Sequence, residues 1–118
     1  MGEVGMEDFQ AMDWYLKSAE QGYAPAQKDI GALYQNGQGV PQDSSQAMQW
    51  FRKAADQGNV TAQCNIAWMH ERELGVPKDN SKALELYRRA AEQGDPVAKT
   101  AIERLENRRE GLLARLFT

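Results

Sequence analysis

Three segments of this chain repeat one another at a fixed spacing of thirty-six residues, with no insertion. AMDWYLKSAEQG at 11–22 returns as AMQWFRKAADQG at 47–58 and as ALELYRRAAEQG at 83–94, while QGVPQDSS at 38–45 returns as LGVPKDNS at 74–81. Self-similarity at such a period marks stacked supersecondary units, each unable to bury its apolar face without a neighbour. The period predicts an all-α solenoid rather than a globular enzyme. The common use of such a fold is to hold another protein or peptide.

Each unit reads as two helices and two turns. In DSSQAMQWFRKAADQG at 43–58, Ala47, Trp50, Phe51, Ala54 and Ala55 fall at i, i+3, i+4, i+7 and i+8, one face of an amphipathic helix. Asp43 with Gln46 resembles a capping box, and Asp79 opens the equivalent helix of the next unit. Gly22, Gly58 and Gly94 close these helices, where a left-handed residue is often needed. A second helix then starts at Asn59 or Asp95, with Pro96 in its first turn. Its buried stripe is Ala26, Ile30, Leu33 and Tyr34, then Ala62, Ile66, Met69 and His70, then Ala98, Ile102 and Leu105. Ala19, Ala55 and Ala91, with Ala26, Ala62 and Ala98, let helix axes approach to about 8 Å. The expected layout is one repeat domain over 1–118. It holds an N-terminal helix at 9–22 with no partner before it, full helix pairs at 23–58 and 59–94, and a capping helix or helices at 95–118.

Composition removes several function classes. Charged residues are 26% of the 118 and the net charge is −3, so no strong field favours nucleic acid or a membrane surface. No apolar run is long enough to span a bilayer. The acidic opening MGEVGMEDFQ has no apolar h-region, so no secretory signal is expected. Cys64 stands alone, which fits a reducing, cytoplasmic compartment. Cys64 and His70 lie six residues apart and do not share a helix face, so neither a metal site nor a nucleophile–base couple is expected. His70 is read as a packed ring in a tyrosine slot, Glu71 and Glu73 as a solvated helix end, and Trp14 and Trp50 as inter-helix packing. No cofactor motif is present. Charges of both signs along 103–115 read as i,i+4 pairs on one helix.

The stretches AQKDIGALY (26–34), GQGVPQD (37–43) and AMQWFRKAADQG (47–58) resemble the Sel-one-like repeat (SLR) family, relatives of the tetratricopeptide repeats. The likeness covers about residues 9–106. It implies a right-handed αα-superhelix whose second helices line the concave side, with adaptor or scaffold roles, and for small bacterial members an inhibitor role. The chain departs from the pattern at Ala67, at His70 and at Glu73, which replaces Gly37 of the first unit and should stiffen that turn. It also lacks the cysteine pairs of the disulfide-stapled branch.

Beside the buried stripe, the second helices carry Asn65, Trp68 and Arg72 in the middle unit, Asp29, Ala32 and Asn36 in the first, and Ala101, Arg104 and Arg108 in the third. Alanine, tryptophan and arginine cannot fill one repeated slot of a close-packed interior, so this stripe is expected to face solvent. By the resemblance it lies on the concave wall. A large aromatic among polar neighbours has hot-spot composition, and Arg72, Arg104 and Arg108 suit carboxylates. The partner expected is therefore a protein or peptide, with acidic groups. The competing reading packs Trp68 between helices and leaves the arginines solvated. Two other functions stay open: end-to-end self-association, such as a homodimer through the terminal helices, and a small-amide hydrolase. For the apolar tail, one reading continues the helix through Gly111, and another folds it back over the last unit.

Overall fold

The computed structural model describes residues 6–117, with side chains from Met12 onward; residues 1–5, half of the acidic opening, and Thr118 lie outside the described residues. Six helices follow in chain order: α1 Met6–Glu20, α2 Ala24–Asn36, α3 Ser44–Asp56, α4 Val60–Arg72, α5 Asn80–Glu92 and α6 Pro96–Leu116. No strand occurs among the described residues. Each helix packs on the one before and the one after it. The result measures 57 × 35 × 21 Å with a radius of gyration of 16.3 Å. A compact chain of this length would give about 13.5 Å, so the molecule is drawn out as a repeat array. This is an all-α repeat superhelix.

The helix boundaries follow from capping chemistry. Asp43 accepts a hydrogen bond from the Gln46 N–H, Asn59 from Ala62, Asp79 from Lys82 and Asp95 from Val97. Each such cap contributes about 1 kcal/mol. α2 starts differently, at Tyr23 with no side-chain cap and Pro25 in its first turn. Gly22, Gly58 and Gly94 take φ near +90°, which lets the chain reverse into the next helix. The α2 end uses Gly37 at φ 66°, whereas the α4 end forces Glu73 into the same left-handed region at φ 57°.

The core runs along the seams. Ala26, Ile30, Ala62, Ile66, Met69, Ala98 and Leu105 of the second-helix stripe are buried, and Leu33, Tyr34, His70 and Ile102 are half-buried. The closest approach joins α2 to α3: a Cβ at Gly31 would stand 2.6 Å from the Phe51 ring. Position 31 therefore has no room for a side chain while Phe51 keeps its place. Gly75 is also tight, since a Cβ there would stand 2.9 Å from Ser44.

Three expectations are corrected here. Trp14 is 69% exposed rather than packed between helices, because among the described residues no helix lies against that side of α1. The equivalent Leu86 is buried and Trp50 is half-buried under Lys53, whose Nζ lies 4.2 Å from the ring centroid. At the other end α6 continues unbroken through Gly111, and Leu112, Leu113, Leu116 and Phe117 remain exposed instead of covering the last unit. The ion pairs of α6 also differ from the i,i+4 pattern: Glu106 bonds Arg88 of α5, and Arg104 bonds Glu71 of α4.

Gly31→Ala should destabilise the protein despite alanine's better helix propensity. Overpacking costs about 1–3 kcal/mol against a propensity gain of about 1 kcal/mol. Urea unfolding of this variant, beside a Gly31→Ala/Phe51→Leu double variant that regains part of the loss, checks the contact.

Candidate functional site

α4 sits in the middle of the array and presents Asn65, Trp68 and Arg72 on one side. Trp68 is 41% exposed. It lines a shallow groove of about 140 Å³ with Asn65 and Met69 of its own helix, Ala32, Gln35 and Asn36 of α2, and Phe51 of α3. Four of the nine expected positions, Ala32, Asn36, Asn65 and Trp68, thus meet in one place. The floor is apolar and the walls carry amides. The Gln35 Oε1 is buried there with no hydrogen-bond partner.

Arg72 links this groove to a second one. Its guanidinium carbon lies 5.8 Å from the Trp68 ring centroid, within cation–π range. Arg72 also lines a cavity of about 300 Å³ with Glu71, Glu73, Lys78 and Arg108. Arg108, from α6, lines this cavity with Arg72. Asp29 lies half-buried in α2 and is paired with Lys28 at 2.7 Å.

Ala101 and Arg104 depart from the expected role. Ala101 is only 5% exposed, so it does not face solvent. Its counterparts Asp29 and Asn65 are half-buried, at the margin of the helix seam. A methyl group is too short to reach out of that margin, and neighbours close over it. Arg104 is already occupied, because its two terminal nitrogens bond the two carboxylate oxygens of Glu71. Glu71 is 4% exposed and accepts a third bond from the Tyr87 hydroxyl at 3.0 Å. It is therefore a buried, fully engaged carboxylate and not a solvated helix end. The sequence carried one signal for this: Glu71 lies four residues after Ala67 and so shares the face that meets α5.

The charge states follow from these contacts. The Arg104 guanidinium holds the Glu71 carboxyl below the usual carboxylate range, against the opposing effect of burial. Burial and the adjacent Glu71 push the Tyr87 hydroxyl up. Cys64, buried on α4, donates to Asp95, and burial with that carboxylate raises its thiol to about 12. A thiol that stays protonated is a poor nucleophile. His70 is half-buried with its Nδ1 unpartnered. Among the described residues no group of three or more His, Cys, Asp or Glu is placed to hold a metal, and no helix is long and apolar enough to cross a membrane.

The Sel1 repeat model matches residues 8–23, 24–59 and 60–95. The chain belongs to the Sel1 repeat family. Sel1 repeats are generally non-enzymatic scaffolds that serve as protein-interaction modules. Among solved structures, a protective antigen present in uropathogenic Escherichia coli strains, displaying an SLR fold, is 44% identical over 78% of this chain with a TM-score of 0.76. A Sel1 repeat protein from Oxalobacter formigenes is 38% identical over 80% of this chain with a TM-score of 0.77. The matched regions span 20% and 39% of those two proteins. The cysteine rich protein B of Helicobacter pylori shares the fold at 21% identity, with a TM-score of 0.71 over 76% of this chain and 68% of its own. The comparison with curated proteins gives no match.

Three outcomes are expected in these Sel1 repeats. Because the folded pKa of Glu71 lies below its unfolded value of about 4.3, its contribution to stability is present at neutral pH and is lost as pH falls through the folded value. Stability measured by urea unfolding should therefore fall less steeply on acidification in Glu71→Gln, from roughly pH 5 downward. At pH 7, Glu71→Ala should cost about 1–3 kcal/mol by orphaning the Tyr87 hydroxyl and Arg104. Glu73→Gly, by contrast, relieves a left-handed backbone and should raise stability by up to about 1 kcal/mol. Thermal melting checks the sign.

Proposed function

We propose that this chain is a non-catalytic interaction module that takes a protein or peptide segment along the concave face, centred on Trp68. One observation carries the reading. A tryptophan is left 41% exposed over an apolar floor of Met69 and Phe51, walled by Asn36, Asn65 and Gln35. The repeat does not require it, since the same position is Ala32 in the first unit and Arg104 in the third. Amide side chains beside an aromatic shelf suit the backbone and one apolar side chain of an extended segment. Both an adaptor and an inhibitor of one target protein would use such a face, and one-to-one stoichiometry with loss of the target's activity distinguishes the inhibitor. The single buried cysteine fits a reducing compartment such as the cytoplasm.

Self-association by stacking the array end to end is less well supported. Glu103 stands where Gly31 and Ala67 take the aromatic ring of the following helix, so a second copy in register would bury a carboxylate under Tyr15. Hydrolysis is also poorly supported, because the thiol is held protonated under Asp95.

Trp68→Ala is the decisive variant. In affinity capture from a lysate of the source cells, wild type should retain a partner that Trp68→Ala loses. Unfolding free energy should meanwhile fall by no more than about 1 kcal/mol, as for a surface substitution with partial contacts. Equal capture by both proteins, or a collapse of the melting transition in the variant, overturns the reading.

A further inference from the structure

Three cations gather beside the Trp68 groove, and none of them forms an ion pair among the described residues. Arg72 ends α4, Lys78 stands in the loop before α5, and Arg108 projects from α6; all three are exposed and line the same cavity of about 300 Å³. Glu73 is the one free carboxylate in the cavity, since Glu71 is taken by Arg104 and Tyr87. The lining therefore sets three cations, Arg72, Lys78 and Arg108, against two carboxylates, Glu71 and Glu73, a positive excess on a chain whose net charge is −3.

The backbone contributes to this convergence. Among the described residues, Glu73 is the sole non-glycine at positive φ. Its left-handed turn lets the Leu74 N–H bond the Met69 carbonyl and the Asp79 N–H bond the His70 carbonyl. That closure folds the loop carrying Lys78 back beside the end of α4. The carbonyls at that helix end offset part of the charge of Arg72 and Lys78. Arg108 comes from the middle of α6 and has no such compensation. Like charges held together at a surface are a standing cost that an anion relieves.

We infer that the segment taken by this face is an acidic peptide: one apolar side chain rests on Trp68, and Asp or Glu side chains follow it toward Arg72, Lys78 and Arg108. The inference rests on the Trp68 reading above and adds composition and direction to it. Arg72 fixes the order, since it stands over the Trp68 ring and also lines the cationic cavity. Three cations offer more positive charge than one chain-terminal carboxylate would neutralise, so two or more acidic side chains match the cavity better.

A library of random decapeptides, displayed internally between fixed neutral flanks, is the probe. Selection on immobilised wild type should enrich peptides with an apolar residue flanked on one side by two or more acids. Their affinity should fall with rising salt, as screened charge contacts do. Lys78→Glu/Arg108→Glu changes two exposed, unpaired side chains and should weaken the selected peptides roughly tenfold or more, with melting unchanged. Arg72→Gln should lose both the charge and the contact with Trp68. If the enriched peptides are neutral, bind independently of salt and ignore the charge reversal, the acidic-ligand inference is overturned while the groove reading stands. If no peptide is enriched, or Trp68→Ala selects the same peptides, both readings fall together.

Discussion

An aromatic ring laid across a very small residue, glycine or alanine, joins each second helix to the helix that follows it. Phe51 covers Gly31, and thirty-six residues on Tyr87 and Ala67 occupy the same places, both buried. The contact brings α3 close to α2 and α5 close to α4, and the remaining small residues along the seam follow from that proximity. It also divides each second helix into a side that must stay small and apolar and a side where residue size and charge can vary. Trp68 can occupy the free side because the seam does not depend on it.

The free side changes character along the array. Its central position runs from Ala32 through Trp68 to Arg104, and its last position from Asn36 through Arg72 to Arg108. Polarity and positive charge therefore grow toward α6. The growth is not a simple sum of arginines, since Arg104 is turned inward to satisfy Glu71. Removing a carboxylate from water is costly unless its oxygens are bonded. With Arg104 and Tyr87 both committed to that task, the exposed charge of the third unit rests on Arg108.

The period and its capping residues made the fold legible in the sequence. Asp43, Asn59, Asp79 and Asp95 each cap the helix that follows. Periodicity reports which positions are equivalent, and equivalence is a sound guide to packing between like units. It is a poorer guide where a slot changes its chemistry. The variety at Asp29, Asn65 and Ala101 suggested a solvent-facing position, yet the slot lies at a seam margin where length decides exposure, and alanine is covered. Glu71 replaces Gln35, and only the arrival of Arg104 from a helix thirty-three positions away makes its burial tolerable. Pairings of that kind leave no trace in a hydropathy pattern. Trp14 shows the same limit from the other direction, since its burial depends on a neighbour and not on its own type.

Cys64 sits under the first turn of α6, with its hydrogen directed at the residue that starts that helix. A reagent that modifies thiols reaches the sulfur only when α6 lifts from α4, and even then meets it mostly protonated. The molecule thus contains one silent chemical handle at the junction of its second and third units. The rate at which that handle becomes modified measures how often the junction breathes, with no probe added to the groove.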